Sequence, residues 1–493
     1  MIALIIELDT ISFIVTILAI VPLMLVALLQ SVYYLVSLRA KSTIITGIGN
    51  NSHINLRFSV VIPIKNEPKE VLQRSITHLA NINWPKNMYE VIVISDDEPR
   101  YAKELKRLCL SIARKEGLDL RFFVRENPIH GRIGALNFGV LKSRYNYILL
   151  LDADSLPDPD IFIKASKYIL KGYKVLVTRW KAYFDSCTKV STSIAATMDF
   201  VVDSIYNGRS KLKLPIFPLG AGTIYSKDIL MEVGLWDPEV IQDDMWMGVK
   251  LLNRGIIPVF MEDVKVNVLV PSTYYALRVQ QSRWSYGAAQ VVRKGFMHLL
   301  TSPLSVIKRI EALIFLLQYM PSLLLSIGMI LVVAVALIRD IDVIATGISA
   351  VLLGIFGVGI YVMSFIHSVL KRGVSVRRAI SLLGRSAAYA ATLLPLLCIA
   401  TLKGLLGLRE RYRITPKASS ERKVSMYIPI TRYIHELVFS ITLLATSMLL
   451  FGEGLTATAL WLLSFIAAVI YTFTRGAQED KYCKVFIRSN ISG

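Results

Sequence analysis

The sequence predicts an α/β domain on the cytoplasmic side of a membrane, inserted in an all-α transmembrane domain. Three observations carry this. Apolar runs too long for a soluble core lie near both ends of the chain. Strand-length apolar runs alternate with amphipathic stretches between them. Basic residues are distributed unevenly about the long runs. Of 493 residues, 54% are hydrophobic and 19% charged, against about 25% charged in ordinary soluble domains. A cytosolic enzyme and a disordered chain are both excluded.

Residues 10–38 carry no charged side chain, and about 20 apolar residues cross a bilayer. This run forms the first span despite Pro22, and it is too long for a removable signal peptide. Residues 312–338 and 343–370 are two more charge-free runs; 437–452 and 455–474 form a hairpin turned at Gly452-Glu453-Gly454. The stretch 379–402 is apolar but contains Arg385 and Pro395. Charge decides its place, because Lys and Arg remain on the cytoplasmic side. Glu7 and Asp9 precede the first span and Arg39 and Lys41 follow it, so the N-terminus is expected outside. Residues 371–436 hold 13 Lys/Arg; eight of them, Lys403 to Arg432, would lie outside if 379–402 crossed. The stretch therefore reads as an interfacial or re-entrant helix.

Five spans result. Residues 1–39 are the N-terminal span, 40–308 a cytoplasmic domain, and 309–493 a membrane domain with four spans and a cytoplasmic loop at 403–436. The same rule absorbs the net charge of +20, so no nucleic-acid partner is expected. The sequon at Asn50 falls on the cytoplasmic side and should stay unmodified. The four cysteines are scattered without metal spacing, which argues against a disulfide framework. The six histidines form no ligand pattern.

Within 40–308, strands are predicted at Phe58–Ile64, Val91–Ile94, Leu120–Val124 and Tyr147–Leu151. Helices are predicted at 70–80, 99–116 and 133–143. Continuously apolar strands joined by helices mean a parallel sheet buried on both faces, with ligands at the carboxyl ends of its strands. Asn66-Glu67 follows the first strand, Asp96-Asp97 the second and Asp152-Ala153-Asp154 the fourth. An Asp-x-Asp by itself is commonly a turn or a helix cap. Here a buried strand aims both carboxylates at one point. Such oxygens suit Mg²⁺ or Mn²⁺ completed by substrate phosphates. The pattern reads as a metal-bridged diphosphate site. There is no glycine-rich phosphate loop, and Gly354, Gly357 and Gly359 lie inside a span as packing glycines.

Gln242-Asp243-Asp244 precedes a helical run. The pair is either a helix cap or a source of a general base. Further on, Gln280, Arg283 and Trp284 share one helical face. A guanidinium forks onto phosphate oxygens, and an indole offers a sugar ring an apolar platform.

These motifs occur in a telling order. Val60-Val61-Ile62-Pro63 with Asn66-Glu67 is followed by Asp96-Asp97, Gly134-Ala135-Leu136-Asn137 and Asp152-Ala153-Asp154. Then come Arg179-Trp180, Gly220-Ala221-Gly222, Asp243-Asp244 and Gln280-x-x-Arg283-Trp284. The series resembles the family 2 inverting glycosyltransferases, in their membrane-embedded cellulose synthase-like and mannan synthase-like branch. Tyr412-Arg413-Ile414-Thr415-Pro416-Lys417 is similar to that branch's cytoplasmic gating segment.

The resemblance implies a GT-A-like, Rossmann-related nucleotide-sugar-binding domain. It implies that Asp96 and Asp97 hold the base and ribose, and that Asp152 and Asp154 hold Mg²⁺ or Mn²⁺ and the diphosphate. Arg132 stands where the family usually has lysine and would meet phosphate, as would Arg283. Asp244 would be the catalytic base, with Gln280, Trp284 and Asp243 about the acceptor. Gln242-Asp243-Asp244 departs from the family's Thr-Glu-Asp. The implied partners are a nucleotide-sugar donor, membrane lipids and an acceptor. Either the acceptor is a growing β-linked polysaccharide, extended processively and exported, or it is a ceramide-like or polyprenyl-phosphate lipid that receives one sugar. A transporter with an inactive nucleotide domain is disfavoured, because Arg385 is the only charge inside the membrane runs, with Glu453 in the turn between the last two.

Overall fold

The computed structural model describes residues 2–39, 44, 55–410, 412–417, 421, 429–480 and 483. The Asn50 sequon and the charges at Glu7, Asp9 and Lys41 lie outside the described residues and side chains. Helix α1 (Ile2–Arg39) leads to the central domain. There β1 (Phe58–Ile64), α2 (Lys69–Ala80), β2 (Tyr89–Ser95), α3 (Pro99–Glu116), β3 (Leu120–Val124), α4 (Gly131–Lys142) and β4 (Tyr147–Leu150) alternate. Next come β5 (Leu156–Pro157), α5 (Ile161–Leu170), β6 (Val175–Tyr183) and α6 (Lys189–Val201). A π-helical segment (Val202–Gly208) runs on into α7 (Arg209–Lys211). The domain closes with β7 (Thr223–Ser226), α8 (Lys227–Glu232), α9 (Asp243–Asn253), β8 (Val259–Leu269) and α10 (Tyr274–Leu300).

Among the described residues one eight-stranded sheet forms, in the order β3-β2-β1-β4-β7-β6-β8-β5. The predicted parallel sheet holds for β1 to β4. It does not hold beyond them: β7 pairs antiparallel with both β4 and β6, and β5 with β8. The short strand Thr223–Ser226 comes after a loop and has no crossover helix, so nothing obliges it to run parallel. Strand β1 is buried on both faces, as its unbroken apolar run requires. Phe58, Val60, Ile62 and Ile64 pack on α2, α3 and α5, while Val61 packs on α4.

The remaining helices are α11 (Val306–Leu316), α12 (Met320–Arg339), α13 (Val343–Thr346), α14 (Ile348–Leu370), α15 (Val376–Leu406), α16 (Ile434–Gly452) and α17 (Thr456–Arg475). Among the described residues six helical stretches are long and apolar enough to cross a membrane: Thr10–Arg39, Val306–Arg339, Ile348–Leu370, Val376–Leu406, Ile430–Gly452 and Thr456–Arg475. This is one more than the five expected, and the extra one is α15, which contains 379–402. Two glycines allow close approach between the halves of the molecule. A Cβ at Gly208 would collide with the Tyr33 carbonyl of α1, and one at Gly404 of α15 would strike the Tyr286 carbonyl of α10. Gly354 and Gly357 pack on Ile20 and Met24 of α1, as expected of packing glycines, while a Cβ at Gly359 would meet nothing within 4 Å, so the third glycine is not a packing position.

Beyond α17 the chain folds back onto the start of α6. The Lys189 amide donates to the Gln478 carbonyl (3.0 Å), the Asp480 amide donates to the Cys187 carbonyl (3.0 Å), and Cys187 forms a disulfide with Cys483. The scattered cysteines therefore do hold one bridge. Their 296-residue separation carries no spacing signal; only the returning tail brings them together.

Candidate active site

The carboxyl ends of β1, β2 and β4, the N-termini of α4 and α9, and one face of α10 converge on a cavity of about 1000 Å³. Asp96, Arg132, Asp152, Asp154, Asp243, Asp244, Gln280, Arg283 and Trp284 all line it. Asp97 does not. Its carboxylate accepts from the Ser95 hydroxyl (2.7 Å) and from the Asn66 amide, so it holds the loop after β1. Asn66 has φ 56°, a left-handed conformation that asparagine adopts more readily than most residues.

Arg132 sits at the centre. It donates to Asp152 (2.9 Å), to the Gly220 carbonyl (3.1 Å) and to Asp243. It thereby joins the strand-end carboxylates to the acid pair that opens α9. Burial alone would lower its basicity; Asp243 and Asp152 outweigh that and hold the guanidinium firmly charged. Arg125 forks onto both oxygens of Asp96 and also donates to the Ile129 and Gly131 carbonyls (3.0 and 2.8 Å). One side chain thus secures the loop that leads into α4.

Asp152 and Asp154 differ electrostatically. Burial pushes the Asp152 carboxyl up, but Arg132 and Lys417 more than offset it and hold the group below its usual range. Burial prevails at Asp154 and raises it, against the opposing charge of Lys417. Lys417 lies 3.2 Å from both Asp154 and Glu67. From the same segment, Tyr412 accepts from Arg283 and lies under its guanidinium, 4.8 Å from ring centroid to charge. The segment singled out at 412–417 thus enters the site. Glu67 is one of the rim carboxylates the sequence singled out; the roles of Lys417 and Arg125 were not legible there, since each depends on a partner that only the fold brings to it.

The acid pair divides as two adjacent carboxylates must. Asp243 faces Arg132. Asp244 accepts from the Gln242 side chain (2.9 Å) and from the Met245 amide (2.7 Å). Burial, reinforced by the Asp243 charge, raises Asp244 to about 7. A carboxylate near neutrality is suited to take and give a proton.

Among the described residues no three His, Cys, Asp or Glu side chains cluster as metal ligands. Asp152 and Asp154 nonetheless fit Mg²⁺ or Mn²⁺. They are two hard carboxylates lining the cavity from one strand end; a cation would take the place of the Arg132 and Lys417 contacts there, and substrate phosphates would complete its shell.

The site is an acid-lined cavity with Arg132 and Arg283 in its wall, mounted against helices of membrane type. The sequence profile described as glycosyl transferase family 2 matches residues 59–234, and that described as glycosyl transferase family group 2 matches residues 147–338. A probable glycosyltransferase of Sulfolobus acidocaldarius is 30% identical over 417 residues, 84% of this chain and 88% of its own length. Glucomannan 4-beta-mannosyltransferase 7 of Arabidopsis thaliana is 29% identical over 242 residues, 48% of this chain; the match spans only 43% of that relative. Mannosyltransferase PcManGT from Pyrobaculum calidifontis, solved with GDP-Man and Mn²⁺, aligns at 16% identity and TM-score 0.49, over 82% of this chain and 100% of that one. The chain belongs to the family 2 glycosyltransferases, in their cellulose synthase-like branch, and it is a membrane protein.

Proposed function

We propose that this enzyme moves a hexose from a nucleotide sugar to the end of a growing β-linked polysaccharide, with inversion, and passes the product processively through its membrane helices. One observation carries the reading: a single cavity holds the strand-end carboxylates and is also lined by Gln30 of α1, Glu311 of α11 and Ser386 of α15. Site and membrane helices thus share one continuous space. The plant relatives are named as mannosyltransferases, so mannose is the first sugar to test.

The chemistry is a single displacement. An acceptor hydroxyl gives its proton to the Asp244 carboxylate as its oxygen bonds the anomeric carbon. The bond from that carbon to the diphosphate oxygen breaks, and the electron pair leaves with the nucleoside diphosphate. Attack opposite the leaving group inverts the centre. Arg132 and Arg283 line the cavity where they can meet the diphosphate; Asp96 serves the nucleoside end, and Asp97 braces the loop after β1 beside it. A divalent cation held by Asp152 and Asp154 would neutralise charge on the departing diphosphate.

The catalytic domain is placed in the cytoplasm, with the N-terminus outside. Helix α15 is read as interfacial because central-domain helices touch it along its length: Thr197 of α6 meets Ser386 (3.0 Å) and Ser285 of α10 meets Thr401 (2.7 Å). A second reading, one sugar transferred to a lipid, draws on the apolar side chains Val26, Leu29 and Ile314 in the same cavity. The test is to give the full chain, in lipid nanodiscs, a panel of radiolabelled nucleotide sugars and to size the product. Aqueous polymer supports the first reading. A single sugar extracted into organic solvent overturns it in favour of the second.

A further inference from the structure

The two carboxylate oxygens of Asp244 have unlike surroundings. Oδ1 accepts from the Gln242 side-chain amide (2.9 Å) and from the Met245 main-chain amide (2.7 Å). Among the described residues nothing donates to Oδ2. That oxygen lies over Gly220, where a Cβ would come to 3.4 Å of it, and Asp244 and Gly220 both line the cavity. An oxygen that already accepts two hydrogen bonds has its lone pairs engaged and is the poorer proton acceptor; the open one is the better.

Gln242 stands at the N-cap of α9, yet its side chain caps nothing there. A side chain in that place ordinarily accepts from a first-turn amide. Here the acid pair does so instead: the Asp244 amide donates to Asp243 (3.1 Å), and the Met245 amide to Asp244. The Gln242 amide is left to hold Asp244.

Gln242 is in turn held from α10. Gly287 lets it approach, since a Cβ there would come within 2.7 Å of Gln242 Cβ and 3.0 Å of its main-chain nitrogen. Three residues on, the buried Gln290 clamps the preceding loop, accepting from the Ile241 amide (2.9 Å) and donating to the Glu239 carbonyl (2.8 Å). Arg283, four residues before Gly287, lines the cavity from the same helix.

We infer that Gln242, braced by Gln290 and Gly287, is a positioning residue, which engages Oδ1 of Asp244 and leaves Oδ2 as the atom that takes the acceptor's proton. The inference rests on the reading of Asp244 as the base and holds for a polysaccharide or a lipid acceptor alike. The titratable groups that face Asp244 are Asp243 of its own helix, Arg132 of α4, Tyr206 of the π-helical segment, Tyr225 of β7 and Tyr319 before α12. Of these only Asp243 and Arg132 are charged near neutrality. Against that background the Gln242 amide favours the ionised carboxylate.

Gln242→Met keeps side-chain length and removes the donor. Gln242→Glu keeps the shape and suits a helix N-terminus, but it sets a like charge against Asp244. The full chain in nanodiscs is assayed with the nucleotide sugar that yields product in the panel above, and donor affinity is measured by calorimetry. In Gln242→Met the high-pH plateau of kcat should fall about 10-fold and the acid limb rise by about one pH unit, with donor affinity unchanged. Gln242→Glu should raise the limb further at undiminished thermal stability, which a merely structural residue would not do. Plateau and limb at the unaltered values in both variants overturn the inference while the base reading stands. A rate loss matched by lost donor affinity, with the limb unmoved, overturns it equally. If Asp244→Asn transfers sugar at the unaltered rate, the base reading falls and the inference with it.

Discussion

Asp244 stands beside a like charge and partly out of water, and both effects favour its protonated form. A general base works ionised, so transfer should fall as pH drops through about 7 and level off above it. Removing a general base typically costs about 10²–10⁴-fold in rate. Asp244→Asn should lose that much while still binding donor, because the residue acts on the acceptor. Asp243→Asn should lose less. It should also move the acid limb to lower pH, since the repelling charge is gone and Arg132 is freed toward Asp244. A pH profile of kcat/KM for both variants checks this; an unmoved limb in Asp243→Asn would detach the pair from each other. Asp154→Asn should weaken donor binding in the presence of Mg²⁺ or Mn²⁺, read by calorimetry, and unchanged metal-dependent affinity would remove it from the metal site. At this scale the carboxylates were legible, because a buried strand delivers the next residues to the sheet rim. The cations that face them were not. Lys417 is 263 positions after Asp154, and no local pattern links them.

The helices and strands followed from periodicity where one rule governs. The sequence places α3 at 99–116 and the structure has it at Pro99–Glu116, with apolar positions at helical spacing and Gly117 beyond its end. The sheet's later strands escaped, because short strands that change direction leave no distinctive run. Helix α15 is the informative case. Its length and composition permit a crossing, and it is the most buried of the six, packed against α6 and α10 of the central domain and also against α12, α14, α16 and α17. Its arginines are not left bare in lipid: Arg385 donates to Asp480 at 2.8 Å. A cysteine introduced at the exposed Leu408, just past α15, should be labelled by an impermeant thiol reagent only from the cytoplasmic side. Labelling from outside would make α15 a sixth span. Ser419 would serve the same test but lies outside the described residues.

The tail after α17 ties the two halves of the molecule together. Asp480 accepts from Thr192 at 2.7 Å and from Arg385, and the Cys187–Cys483 bridge closes the loop. A cross-link of this kind commonly contributes about 2–4 kcal/mol by restricting the unfolded chain. Reduction should therefore lower the temperature at which activity is lost, and Cys187→Ser should sit at the lower value with or without reductant. Equal inactivation temperatures would show that the bridge constrains nothing.

The amino-acid sequence by itself determined the division into membrane and α/β parts, the parallel first half of the sheet and the carboxylates at its rim. Those features depend on local quantities: hydropathy over 20 residues, strand periodicity and the residue types just past a strand's end. Only the tertiary structure decided how the rim is wired, with Arg132 between two acid motifs, Lys417 against Asp154, and Gln290 of α10 against the loop before Asp244. It alone brought Cys187 to Cys483. Each of these is a meeting of residues far apart in the chain, and side-chain chemistry at one position carries no record of the partner that folding will bring to it.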